Sequence, residues 1–139
     1  TDVTPAFVER LRANGHEADL LDPLTDDLHD PARPGTPYDA VWANASLLHV
    51  GRPDLPVVLR RLAEATALGG LLRAALKEGD GAGWSTHGSV SAPRHFTYWR
   101  AEALRAVAQD AGWSVEEVEG YDSAWTGEPW LVLWARRGA

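Results

Sequence analysis

Strand-like and helix-like segments alternate along most of this chain, and the alternation breaks only near the end. Residues 38–43, Tyr-Asp-Ala-Val-Trp-Ala, form an apolar run suited to a buried strand. Residues 52–67 carry Leu55, Val58, Leu59 and Leu62 on one helical stripe. Gly69-Gly70 closes that helix, and residues 71–76 read as the next strand. Residues 100–111 form a helix with Ala103, Leu104 and Val107 on one face, stopped by Gly112. Two further strands, residues 113–118 and 130–135, then follow with no helix between them. Alternation of this kind implies a parallel α/β sheet. Two consecutive strands without a crossover helix must instead pair antiparallel, at or near an edge. The segment between them, residues 119–129, is too long for a tight hairpin.

The first third is less regular. Thr4 suits an N-cap and Pro5 the first position of a helix over residues 5–14, with Phe7, Val8 and Leu11 on one face. Gly15 ends it, and residues 17–21 make a short strand candidate. Residues 24–37 are loop, acidic at Asp26, Asp27 and Asp30 and broken by Pro31, Pro34, Gly35 and Pro37. Residues 44–49 form a turn or short helix. Residues 77–96 form a long connection rich in Gly, Ser and His, and connections of that length are often binding loops or lids.

Composition removes several classes of function. The 139 residues amount to a single domain, 1–139. Thirteen Lys and Arg against 20 Asp and Glu leave a net charge of −7, with no basic cluster to hold phosphates. A nucleic-acid partner is therefore not expected. No run approaches a membrane span, so no membrane partner is expected either. The absence of Cys excludes thiolate nucleophiles, disulfides and Cys-based zinc sites. There is no G-x-S-x-G elbow, P-loop or H-E-x-x-H motif. A cytoplasmic protein is the default expectation. The chain has no Met and opens abruptly on Thr1-Asp2, which leads to the expectation of further residues upstream.

Four stretches, in order, resemble class I S-adenosylmethionine-dependent methyltransferases. Thr1-Asp2-Val3-Thr4-Pro5 resembles the acidic end of that family's second strand and the start of the following helix. Leu20-Leu21-Asp22-Pro23-Leu24 resembles the acidic end of the third strand. Residues 38–49 resemble the fourth strand and its turn, and Leu68-Gly69-Gly70-Leu71-Leu72 the glycine pair before the fifth. The resemblance implies a Rossmann-like α/β sheet, mostly parallel, with an antiparallel strand near the C-terminal end. It also implies a first strand and a G-x-G-x-G loop missing from this chain. Gly79, Gly81 and Gly83 alternate but follow the wrong strand. The missing unit would be of βαβ size, roughly 30 residues or more.

What the resemblance implies for function is methyl transfer from S-adenosyl-L-methionine to a small-molecule acceptor by in-line displacement. The alternative is a non-catalytic member that binds a nucleotide-like ligand or scaffolds a partner. Asp2 would accept hydrogen bonds from the ribose hydroxyls. Asp22 would accept from the adenine amine with Pro23 packing nearby, and Asp19 is its rival. Ala43, Asn44 and Ala45 would lie by the methionine portion. Plainer readings stand beside these: a solvated Asp2 near a helix N-terminus, and an Asn44 bonded to its own backbone. His49, Lys77, Trp84, Tyr98 and Trp99 are candidates for the acceptor side, His49 alternatively a partly buried histidine at a helix end. Trp113, Trp130 and Trp134 sit in strand patterns and read as core. A methyl sulfonium is already electrophilic, so the protein mainly aligns the nucleophile. Where the acceptor must lose a proton, His87 or His95 could take it at neutral pH. No metal is expected.

Overall fold

The computed structural model describes residues 1–86 and 92–139. It divides into two compact units, Thr1–Thr36 and Pro37–Ala139. No helix among the described residues is long and apolar enough to cross a membrane.

In the first unit, helix α1 spans Pro5–Ala13 with Pro5 in its first turn and Thr4 at the N-cap. The Thr4 hydroxyl makes no capping bond. Its backbone N–H donates to Asp2 Oδ1 at 2.7 Å instead. Arg10 and Arg12 occupy the last turn, where the exposed carbonyls favour cations. The strand expected over residues 17–21 is reduced to one parallel bridge between Asp2 and Leu20. Asp2 N–H donates to the Asp19 carbonyl at 3.1 Å and Leu21 N–H to the Asp2 carbonyl at 3.0 Å. The ladder stops there because the chain turns into α1 right after Asp2.

The second unit is built on four strands: β1 (Tyr38–Asn44), β2 (Thr66–Lys77), β5 (Trp113–Asp122) and β6 (Pro129–Arg137). Their order in the sheet is β1-β2-β6-β5. β1 and β2 pair parallel, and β6 is antiparallel to both β2 and β5. Three strands thus run one way and the C-terminal one runs against them, the arrangement that the missing crossover helix predicts.

Helix α2 (Leu55–Glu64) ends sooner than its sequence pattern suggests, and β2 begins at Thr66, upstream of the glycine pair. The pairing jumps from Tyr38↔Thr66 to Ala40↔Leu71, so the glycines lie in a bulge rather than at a helix stop. Gly69 has φ +77. A Cβ on Gly70 would come within 2.6 Å of Thr66 Cγ2 and 2.9 Å of the Asp39 carbonyl oxygen. Glycine is required at position 70 by close approach of the neighbouring strand. The long connection after β2 also carries structure, a hairpin of β3 (Ala82–Ser85) and β4 (Arg94–Thr97).

Alternation along the strands separates two sheet faces. One holds Leu72, Ala74 and Leu76 of β2 opposite Ala135, Leu133 and Leu131 of β6, all essentially inaccessible. These pack with Leu55, Val58 and Leu59 of α2 and with Leu104 and Ala108 of α3 (Ala101–Asp110) to make the core. Trp113 closes it: its buried indole N–H donates to the Leu59 carbonyl at 2.9 Å. The other face carries Arg73, Ala75 and Lys77 opposite Trp134, Val132 and Trp130.

Trp113→Phe removes buried volume and the indole N–H that donates to the Leu59 carbonyl. Loss of about 2 kcal/mol of unfolding free energy is expected in urea titration. Trp125→Phe, at a side chain 96% exposed, should change it by less than about 0.5 kcal/mol.

Candidate functional site

Two carboxylates in the first unit are built into turns by their own backbones. Asp2 uses Oδ1 to receive the Thr4 N–H, and its Oδ2 has no partner among the described residues. Asp22 Oδ1 receives the Leu24 N–H at 2.9 Å, while the Asp22 N–H donates to Asp26 Oδ2 at 2.8 Å. Asp22 therefore also has one carboxylate oxygen without a partner among the described residues. Pro23 beside it is half-buried. The rival Asp19 is engaged by Arg12, whose guanidinium reaches its Oδ1 at 3.1 Å.

In the second unit the carboxyl ends of β1 and β2 meet a cavity. Ala43 is buried and Asn44 is exposed at the end of β1. Asn44 Oδ1 accepts from Arg73 Nη1 at 2.9 Å, which leaves its amide NH2 as a donor. Arg73 in turn lies 4.3 Å from the centre of the Trp42 ring and 5.5 Å from that of Trp134. Ala45 follows with φ 55, a left-handed conformation unusual for a residue with a Cβ. That turn ends the strand and leads into the 3-10 turn Leu47–His49, whose two leucines are buried.

The cavity has a volume of about 150 Å³ and is lined by Ala45, His49, Lys77, Phe96, Glu128 and Trp130, among others. Lys77 closes β2 and is nearly inaccessible. Its Nζ donates to Glu128 Oε1 at 2.8 Å and stands 4.5 Å from the Phe96 ring centre and 5.9 Å from that of Trp130. Glu128 comes from the short β5–β6 connection, held by Ser123 N–H to the Glu128 carbonyl at 2.8 Å. Arg94 and Phe96 of β4 also line the cavity. His49 Nδ1 lies 2.7 Å from the His95 carbonyl oxygen, and its ring packs on Phe96 with centres 4.9 Å apart.

The structure places the remaining candidates elsewhere. His95 alternates with Phe96 along β4, so its ring points away from the cavity and meets Trp84 of β3 at 5.8 Å. Trp84 itself is largely exposed. Tyr98 packs against Gly79, and its carbonyl receives the Arg52 guanidinium. Trp99 is buried, with Arg52 stacked 4.3 Å from its ring centre. His87 lies outside the described residues. Below the hairpin, Arg100 Nε donates to Asp80 Oδ1 at 3.0 Å, and this bond holds the Asp80 carboxyl below the usual carboxylate range. Glu128, Arg94 and Phe96 were not singled out from sequence. Trp130, read as core, is half-buried at the cavity. The pairing of Lys77 with Trp130 across β2 and β6 and the β3–β4 hairpin bring these groups together.

This is the fold of class I S-adenosylmethionine-dependent methyltransferases, as comparison with solved structures shows. A methyltransferase of that type from Methanosarcina mazei superposes with a TM-score of 0.74 at 10% identity, over 99% of this chain and 80% of that one. The Burkholderia thailandensis 1,6-didemethyltoxoflavin-N1-methyltransferase, solved with its namesake compound and S-adenosylhomocysteine, gives 0.59 at 17% identity. That match covers 73% of this chain and 44% of the Burkholderia one, so the chain spans less than half of that enzyme. The [4+2]-cyclase SpnF gives 0.67 at 18% identity, over 99% of this chain and 64% of that one. No protein-family model and no curated protein sequence matches the chain.

Two stability measurements check this geometry. Glu128→Gln strands the Lys77 ammonium and should cost about 2 kcal/mol in urea unfolding, discounted from a fully buried pair because Glu128 is partly exposed. Adding Lys77→Met should recover most of the loss, which identifies the pair as the cause. At Ala45, relief of about 1 kcal/mol of left-handed strain offsets the entropic cost of glycine, so Ala45→Gly should be neutral or stabilising. Ala74→Gly, in ordinary strand geometry, should destabilise by about 1 kcal/mol or more.

Proposed function

We propose that this chain acts as a cytoplasmic S-adenosyl-L-methionine-dependent methyltransferase on a small-molecule acceptor. The observation that carries this reading is the cavity at the carboxyl ends of β1 and β2, where open α/β sheets bind their ligands. Its volume of about 150 Å³ suits a small acceptor. The methyltransferase-type sheet around it supports the reaction class, and the Burkholderia enzyme of the same fold was solved with S-adenosylhomocysteine.

The residues present suit the cofactor. Asp2 and Asp22 each keep a carboxylate oxygen for a ribose hydroxyl and an adenine amine respectively. Pro23 supplies an apolar surface beside the adenine. Ala43 and Ala45 carry no side chain beyond Cβ, and the positive φ at Ala45 turns the backbone out of the strand for the methionine portion. Asn44 offers its amide NH2 to a carboxylate. When bound, the cofactor supplies an electrophilic methyl group. His49 and Lys77, joined by Phe96, Glu128 and Trp130, form the acceptor side. Trp84, Tyr98 and Trp99 support the hairpin and the chain below it.

A second reading is ligand binding without methyl transfer. The likeness to a [4+2]-cyclase favours keeping it, because this fold carries more than one chemistry.

The test is calorimetric titration of S-adenosylhomocysteine into the protein. Saturable binding is expected, weakened about tenfold or more by Asp2→Ala and by Asp22→Ala, that is by about 1.4 kcal/mol each. Absence of binding would overturn the methyltransferase reading. Binding without methyl transfer to any acceptor would favour the second.

A further inference from the structure

We propose that His49 is the general base of this site and that the acceptor is a phenol-type hydroxyl compound seated against Phe96 and Trp130. The inference rests on the methyltransferase reading and adds the acceptor class and the residue that takes its proton.

The argument begins with a tautomer. His49 Nδ1 lies 2.7 Å from the backbone carbonyl oxygen of His95. A carbonyl oxygen only accepts, so Nδ1 must carry the hydrogen. In the neutral ring Nε2 is then the lone-pair nitrogen, and it has no protein partner among the described residues. Leu47 and Leu48 anchor its turn in the core, and the exposed ring is held by the Nδ1 bond and by a tilted contact with Phe96, centres 4.9 Å apart. It belongs to a side chain that lines the cavity. An imidazole fixed at Nδ1 by a second partner, with Nε2 open to a ligand site, is the arrangement a general base needs.

The cavity walls specify what that base acts on. Phe96 and Trp130 provide flat apolar surface for a planar ring. The Lys77 ammonium lies near both rings with its charge balanced by Glu128 at 2.8 Å, so what it offers an acceptor oxygen is an N–H donor and not a net positive field. A neutral amine attacks through its lone pair and sheds its proton afterwards, whereas a hydroxyl gains most from a base during attack. In the transfer a bond forms from the acceptor oxygen to the methyl carbon, and the electron pair of the methyl–sulfur bond stays on sulfur. The hydroxyl proton passes to His49 Nε2. The charged groups facing the same cavity are Lys77 from β2, Arg94 from β4 and Glu128 from the β5–β6 connection. Arg52, close to His49 in sequence, is turned to the Tyr98 carbonyl.

The test combines two readouts on the complete protein. Long-range proton–nitrogen NMR on histidine-labelled protein, assigned by comparison with His49→Gln, should show the hydrogen of neutral His49 on Nδ1. Methyl transfer is assayed with phenol, catechol and 4-hydroxybenzoate, and with thiophenol, which ionises in water without help. His49→Gln should lower kcat/KM for the phenols about 100-fold or more. It should leave thiophenol transfer and S-adenosylhomocysteine affinity within about twofold. A hydrogen on Nε2 overturns the proposal whatever the variant does. Unchanged phenol transfer in His49→Gln overturns it too, as does wild-type protein that binds S-adenosylhomocysteine but methylates none of the phenols. Failure of wild-type protein to bind S-adenosylhomocysteine overturns the methyltransferase reading and this proposal with it.

Discussion

The register in which β6 enters between β2 and β5 governs the cavity end of the second unit. It sets Leu131, Leu133 and Ala135 against Leu76, Ala74 and Leu72 on the helix-covered face. The same register puts Trp130 across from Lys77 on the other face, at the mouth of the cavity. A slip of one residue would exchange the two faces along the whole strand. It would expose the leucines and drive Trp130 and Trp134 toward the helices. The burial of apolar side chains therefore fixes the register, and the register assembles the cavity.

β2 illustrates how one strand serves both purposes. Its even positions, Leu72, Ala74 and Leu76, belong to the core, and its odd positions include two cations, Arg73 and Lys77. Each cation is placed against aromatic rings and tied by a hydrogen bond. Arg73 lies by Trp42 and Trp134 and donates to Asn44; Lys77 lies by Phe96 and Trp130 and donates to Glu128. Contacts of this kind contribute about 0.5–2 kcal/mol each, depending on how far they are desolvated. Their larger effect is positional. A buried ammonium that already has its carboxylate and its aromatic walls can sit at a ligand site without collapsing the structure around it.

The hairpin β3–β4 supplies the fourth side of the cavity by the same period-two logic. Phe96 and Arg94 face inward, while His95 and Trp84 form a pair on the opposite side. His95 still acts on the cavity, through its backbone carbonyl, which sets the proton on His49. Two histidines far apart in sequence thus meet at this wall. One lends a carbonyl and the other presents its ring. Shared architecture alone would not assign such roles, since solved structures of this fold include both methyltransferases and a cyclase.

The class of fold was legible from local pattern. Strand and helix periods reported which segments were β1, α2, α3 and β6, and the absent crossover helix announced the antiparallel C-terminal strand. Gly69-Gly70 misled because a glycine pair ends helices and also fills bulges, and only the closeness of β1 at Gly70 decides between them. The residues 77–96 looked structureless because four-residue strands carry too few positions for a period to emerge. Asp2, Asp22 and Lys77 were named from sequence, the two acids through the family resemblance and Lys77 by its place after an apolar run. Glu128, Phe96, Arg94 and the orientation of His49 were not. They lie up to 79 positions apart in the chain and become neighbours only through tertiary structure. The sequence by itself determined which segments would be strands and helices, because backbone period and side-chain polarity are local properties. Which side chains share the cavity, and which nitrogen of His49 carries the proton, was decided only by tertiary structure, because both depend on register between strands distant in sequence.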